Sequence, residues 1–399
     1  MTVSPQRAAP EFVALMAAMF ATIALSIDAM LPALPQIAAS LSPAEPNRAQ
    51  LVITSFVFGM GLGTLFAGPL SDRFGRKSTI LGGMVLYICA AAFAWAANSL
   101  EMLLLARVLQ GFGAAAPRTV SMAMVRDLYS GTTMARILSF VMMIFTLVPA
   151  LAPLMGQAVI SFYGWHAIFL AYVAFATLIS IWLWARQAET LPPELRRPLA
   201  LASLWAATVD IMSRRIVVLS ILAQTLTLGM LFATLSSMHG IFADRFDREA
   251  SFPVWFGVIA ILSMSGSILN ARYVRRLGML RMLRAAYAGQ ALVTGALLIA
   301  VWAAIIPEPL AFPLHILWSV GLFAMMGVTN GNLSALAMEP LGHVAGLAAS
   351  VISSIATVGS VLLAVPVGLM LDGTQLPLLV GVTVYAGLAY GVMGMVRRA

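Results

Sequence analysis

The sequence predicts an all-α, polytopic membrane protein with twelve transmembrane helices in two six-helix bundles. Composition, the number of long apolar runs and the placement of arginine lead to that reading. Of 399 residues, 61% are hydrophobic and only 10% charged, with a mean hydropathy of +0.96. A soluble domain has about 45–50% apolar and about 25% charged residues, so a soluble fold is excluded. The net charge of +8 does not indicate nucleic-acid binding. The basic residues are all Arg except Lys77, and they fall between apolar runs instead of forming one basic, aromatic-interleaved face. Cys89 is the single cysteine, which excludes an intrachain disulfide.

A helix needs about 20 largely apolar residues to cross a bilayer. The first such run, 12–34, follows a short polar start, and no small-residue cleavage site comes after it, so it reads as a retained helix. Runs at 50–70, 79–98, 101–124, 137–160 and 166–185 follow, the fifth interrupted by Pro149 and Pro153. Residues 186–214 form the longest polar connection and carry Pro192-Pro193, with a short surface helix expected from Leu199 to Met212. Six more runs lie at 215–238, 252–271, 282–306, 312–336, 345–371 and 376–396. The expected organisation is therefore a bundle over 1–185, a linker over 186–214 and a second bundle over 215–399. No strand alternation occurs, which argues against a membrane barrel.

Arginine placement orients the chain. With the N-terminus inside, the inner segments hold Arg7, Arg73, Arg76, Lys77, Arg126, Arg136, Arg186, Arg196, Arg197, Arg214 and Arg215, then Arg272, Arg275, Arg276, Arg281, Arg284, Arg397 and Arg398. Only Arg48, Arg245 and Arg248 fall outside, while Arg107 and Arg118 lie within a span. Both termini are thus expected in the cytoplasm. A faint repeat relates the halves: Gly68-Pro-Leu-Ser-Asp72 and Gly266-Ser-Ile-Leu-Asn270 each end an inbound helix before an Arg-rich turn. Paired six-helix repeats are a common transporter plan.

Gly68-Pro-Leu-Ser-Asp-Arg-Phe-Gly-Arg-Lys77, between spans two and three, resembles the loop signature of the major facilitator superfamily. Arg107-Val-Leu-Gln-Gly-Phe-Gly-Ala-Ala115 is similar to that family's proton-antiporter signature. Asp28-Ala-Met-Leu-Pro-Ala-Leu-Pro35, Val125-Arg-Asp-Leu-Tyr129, Gly164-Trp-His-Ala-Ile-Phe169, Glu189-Thr-Leu191, Asn270-Ala-Arg272 and Glu339-Pro-Leu-Gly-His343 resemble the drug/proton antiporter branch, nearest the bicyclomycin/chloramphenicol-resistance exporters. The resemblance implies the major facilitator fold over essentially the whole chain. One departure is in the fifth-span exporter signature, where Pro153 and Gly156 remain but Val148, Ala152 and Gln157 replace glycines. Ala still allows close helix packing, whereas Val and Gln do so less well. Gly111, Gly113, Pro153 and Gly156 are the expected helix-packing positions.

Asp28 is the one acid well inside a span, and charge at that depth persists mainly on a water-filled path or beside a partner. Asp28 lies six residues before Leu34, and Arg107 six residues after Glu101, so each is roughly 9 Å below the outer end of its span. The match in depth suggests an Asp28–Arg107 pair acting as a proton switch. The alternative is a static ion pair joining two helices. Arg118 follows Arg107 by eleven residues, about 20° past three full turns, and so shares its face. Two such cations against one acid favour neutral or anionic amphipathic substrates; alternatively, Arg118 snorkels to the membrane surface. Gln110, Gln224, Asn330 and Asn332 are polar candidates for a substrate cavity, each equally able to bridge helices.

By the resemblance, Gly68, Asp72, Arg73, Gly75, Arg76, Lys77 and Asp127 form a cytoplasmic gate, with charges at helix ends able to pair. Asn270 in place of Asp72 makes the corresponding latch of the second half weaker and uncharged. No His/Cys/acid cluster has metal-ligand spacing, and no phosphate-cradling loop occurs. The expected function is therefore proton-coupled export of small amphipathic compounds by a monomer in a bacterial inner membrane. It would be driven by the proton gradient, without a cofactor, metal or nucleic-acid partner, and would involve no enzymatic chemistry. The alternative on the same fold is movement of a specific metabolite, such as a sugar, amino acid or organic acid, by uptake or uniport.

Overall fold

The computed structural model describes residues 10–196 and 201–396. Arg7, Arg197, Arg397 and Arg398, which contribute to the expected orientation, lie outside them. Fourteen α-helices account for the described residues almost entirely. In the first half these are α1 (Pro10–Asp28), α2 (Leu34–Leu41), α3 (Leu51–Phe74), α4 (Arg76–Trp95), α5 (Leu100–Leu128), α6 (Gly131–Tyr163) and α7 (Ala167–Arg186). α8 (Leu201–Ser213) falls in the polar connection, and α9 (Arg215–Gly240), α10 (Phe252–Leu277), α11 (Met279–Trp302), α12 (Glu308–Met338), α13 (Ala345–Leu369) and α14 (Leu376–Gly394) follow.

Eleven segments among the described residues are long and apolar enough to cross a membrane, the first comprising α1, a short turn and α2. The twelfth crossing is α5. Its 29 residues are ample in length, but Arg107, Gln110 and Arg118 dilute its apolar character, which is why it stands apart from the other eleven. Pro69, Pro117, Pro149, Pro153, Pro313 and Pro366 lie inside helices. Membrane helices tolerate them because neighbouring groups re-satisfy the freed carbonyls. Leu178, Ile181, Leu292, Leu317 and Leu362 are exposed, a surface suited to lipid and not to water.

The chain resolves into two compact units. One contains residues up to Ala33 and Ser55–Leu201; the other contains Leu34–Thr54 and Ala202–Ala399. The connection 34–54 groups with the second unit, and the division between the units falls at Leu201 and Ala202, within the 186–214 connection. The anchor of 34–54 is Asn47, whose Nδ2 donates to Leu369 O (3.2 Å) and Leu371 O at the end of α13.

Packing repeats between the units. α4 lies against α5 and α7, and α1 against α6, α5 and α7; correspondingly α11 lies against α12 and α14, and α9 against α13, α12 and α14. A hydroxyl–tyrosine bond recurs in the same place. Ser26 Oγ meets Tyr87 OH at 2.6 Å between α1 and α4, and Thr227 Oγ1 meets Tyr287 OH at 2.6 Å between α9 and α11. Both turns after the second span of each half use glycine at positive φ, Gly75 (+97°) and Gly278 (+81°).

Candidate functional site

α1 stops at Asp28 because Pro32 and Pro35 follow, and neither can donate the backbone bond that would continue the helix. Leu25 O still accepts from Ala29 N (3.1 Å), but beyond it the last carbonyls of α1 lack intrahelical donors. The molecule fills them from neighbouring helices. Arg107 of α5, fully buried, donates through Nη2 to Ser26 O at 2.8 Å and through Nη1 to Gln110 Oε1 at 2.7 Å. Its guanidinium lies 4.3 Å from the centre of the Phe56 ring of α3. Tyr172 OH of α7 donates to Leu25 O at 3.1 Å. A cation at a helix C-terminus also complements the helix dipole.

Asp28 itself is buried, at 5% exposure. Among the described residues its carboxyl makes no hydrogen bond and no ion pair. The direct Asp28–Arg107 ion pair expected from matched depth is thus not formed in this conformation. Arg107 instead reaches α1 two residues earlier, at the orphan carbonyl of Ser26. Gly156 of α6 packs against Ala29, next to Asp28; a Cβ there would overlap Ala29 O. The retained exporter-signature glycine therefore lets α6 close over the end of α1. Pro153 lies one turn earlier on α6, and Gly111 and Gly113 lie where the α5 backbone meets α3 at Phe56 and α4 at Tyr87.

Sequence reading missed Ser26, Phe56, Tyr87 and Tyr172. A hydroxyl within an apolar run is a weak signal, since most such groups bond their own helix. Tyr87→Phe removes the hydroxyl that meets Ser26 and is expected to lower stability by about 1 kcal/mol, read as a small fall in thermal midpoint in detergent.

The remaining cavity candidates separate. Arg118 is half-buried and makes no side-chain hydrogen bond or ion pair among the described residues. Gln224 is buried on α9, and its Nε2 has no partner among the described residues. Asn330 is exposed. Asn332 bridges helices: its Nδ2 donates to Asn270 Oδ1 (2.7 Å) and to Val328 O (2.9 Å). The expected uncharged counterpart of the Asp72 cluster is therefore an Asn–Asn hydrogen bond, and Asn332 is occupied by it.

The α3–α4 turn holds a denser network. Gly68 lies on α3 one turn before Asp72. Arg76 Nη1 bonds Ser71 Oγ (2.6 Å) and Asp72, and its Nε bonds Asp127 Oδ2 at 3.0 Å. Lys77 Nζ donates to Trp184 O (2.8 Å), while Arg73 points outward over Phe74. Glu189, just beyond α7, caps α4: Oε1 accepts from Arg76 N (2.7 Å) and Oε2 from Lys77 N (3.1 Å). A carboxylate at a helix N-terminus satisfies orphan donors and the dipole together. Gly75 has no side chain to do this, has φ of +97° and leaves no room for a Cβ beside Glu189. Only the Glu189-Thr-Leu191 resemblance hinted at this role. Glu189→Ala and Gly75→Ala are each expected to lower stability by about 1–2 kcal/mol. A double-mutant cycle in thermal unfolding should show the two losses to be less than additive.

A sequence model of the Major Facilitator Superfamily matches residues 14–364. The chain is 30% identical over 371 residues to a bicyclomycin resistance protein homolog of Haemophilus influenzae, covering 88% of this chain and 87% of the relative. It is 28% identical over 340 residues to a chloramphenicol resistance protein of Pseudomonas aeruginosa, covering 82% and 76%. Among solved structures, a D-xylose–proton symporter superposes with a TM-score of 0.75 at 14% identity, covering 96% of this chain and 97% of the other.

Proposed function

Since the chain belongs to the Major Facilitator Superfamily, we propose that it exports small amphipathic compounds in exchange for protons, by alternating access. The membrane would be a bacterial inner membrane, with both termini cytoplasmic as the arginine placement indicates. The observation that supports this most is the buried carboxyl of Asp28, without a hydrogen bond or ion pair among the described residues, two residues from the Ser26 carbonyl that holds the Arg107 guanidinium. A lone charge there costs several kcal/mol, and either a proton or a cation relieves that cost. In one state Asp28 carries the proton while Arg107 holds Ser26 O. In the other, Arg107 turns to the carboxylate, and the proton leaves.

Arg118 gives the substrate path an uncompensated positive charge, which favours neutral or anionic compounds. The Asp72–Arg76–Asp127–Glu189 network holds the α3–α4 turn rigid at the cytoplasmic end and serves as the gate. The relatives named for bicyclomycin and chloramphenicol resistance support a drug-like cargo. The chain acts as a monomer and draws on the proton gradient alone.

The test uses purified protein in proteoliposomes with a trapped pH dye and an imposed proton gradient. Neutral phenicols, organic cations and organic anions are added singly. Proton flux evoked by the neutral or anionic compounds supports the reading. Silence across the panel, with flux evoked by a sugar, amino acid or organic acid, overturns it in favour of a metabolite carrier.

A further inference from the structure

Between Glu249 and Glu308 the chain has no acidic residue, yet it carries Arg272, Arg275, Arg276, Arg281 and Arg284. α10 ends at Leu277, Gly278 turns, and α11 begins at Met279, so all five gather at one end of this helix pair. Arg284 is committed, donating to Met393 O (3.1 Å) and Gly394 O (3.0 Å) at the end of α14. The other four are exposed, and none has an acidic partner among the described residues. The equivalent turn of the first unit differs: there Arg76 faces Asp72 and Asp127.

Directly beside these cations, α10, α11 and α12 enclose an apolar groove of about 590 Å³. Its α11 side runs from Ala285 through Gly289 and Val293 to Ala300, about 22 Å along the helix and more than half of the roughly 30 Å hydrocarbon core. The polar side chains of its lining, Gln290 and Trp318, each donate inward to Thr294 Oγ1 at 3.0 Å. Arg281 stands one turn before Ala285 on the same helix face. On α10, Arg272 and Arg276 continue the face of Leu269 at three and seven residues. The groove is therefore apolar along its length and cationic at one mouth.

We propose that this groove binds an anionic phospholipid, with one acyl chain along Ala285–Ala300 and the phosphate held by Arg276 and Arg281, flanked by Arg272 and Arg275. Charge complementarity selects the headgroup: a zwitterionic lipid brings an ammonium that four unpaired guanidinium groups repel, whereas a net negative headgroup does not. The depth of the groove selects a chain-bearing ligand over a free anion. The site is independent of the transport cycle proposed above.

The test is native mass spectrometry of the delipidated full-length protein, titrated in neutral detergent with dioleoyl phosphatidylglycerol or dioleoyl phosphatidylcholine. The expected result is retention of phosphatidylglycerol at a concentration at least tenfold below that needed for phosphatidylcholine. Arg276→Gln with Arg281→Gln should abolish that preference. Gly289→Leu, at a position with open space around its Cα, should fill the groove and lower retention of both lipids. Thermal midpoints without lipid confirm that the variants are folded. Equal retention of the two lipids by the native protein would overturn the proposal, as would unchanged retention in both variants. Displacement of the bound lipid by millimolar inorganic phosphate would overturn it too, because the site would then be one for a free anion.

Discussion

Asp28→Asn is expected to fold and insert like the native protein and yet to lose compound-evoked proton flux by roughly tenfold or more, because the amide keeps the shape of the carboxyl but cannot cycle a proton. The measurement is dye-reported flux in proteoliposomes, paired with the thermal midpoint in detergent. Asp28 has no hydrogen bond or ion pair among the described residues, so the substitution breaks none in this conformation. The midpoint should therefore hold or rise. A fall in midpoint alongside unchanged flux would identify a structural acid and remove Asp28 from the coupling scheme.

Arg107→Lys carries the second large effect. The guanidinium spans Ser26 O and Gln110 Oε1 at 2.8 and 2.7 Å while lying over Phe56, 4.3 Å from its centre. A lysine ammonium keeps the charge but cannot reproduce the fork or the stacking. The loss of a buried hydrogen bond at Ser26, where α1 ends, is expected to cost about 2 kcal/mol. The thermal midpoint should fall, and compound-evoked flux should fall further than stability explains. A lysine variant with native midpoint and native flux would show that charge alone suffices at this position. A variant that loses stability but keeps flux per folded molecule would confine Arg107 to holding α1 against α5.

Much of the architecture is legible in the sequence because bilayer physics is one-dimensional. Apolar length marks the spans, and even polar α5 shows as a run between its neighbours. The signature turn is legible too, since Gly75 and its charged flanks sit close together in the chain. What escapes is everything that depends on three dimensions. Matched depth says nothing of the Ser26 carbonyl, which Arg107 meets only because α5 packs against α1 there. Glu189 caps a helix more than a hundred residues away. Asn332 reads as a pocket candidate until Asn270 is seen opposite it. The grouping of 34–54 with the second unit rests on contacts around the end of α13, where Asn47 meets the carbonyls of Leu369 and Leu371 and Gln50 lies against Gly368.

The recurring hydroxyl–tyrosine bond has a consequence for how the two halves have diverged. Counting two residues on from Ser26 leads to Asp28; counting two on from Thr227 leads to Gly229, whose Cα faces Leu363 of α13. One scaffold, copied, thus presents the same address twice: a carboxyl in the first copy, a tight greasy contact in the second. The two copies therefore differ in chemistry at one shared position: a group that can ionise in the first, and in the second a close glycine contact that a Cβ would crowd.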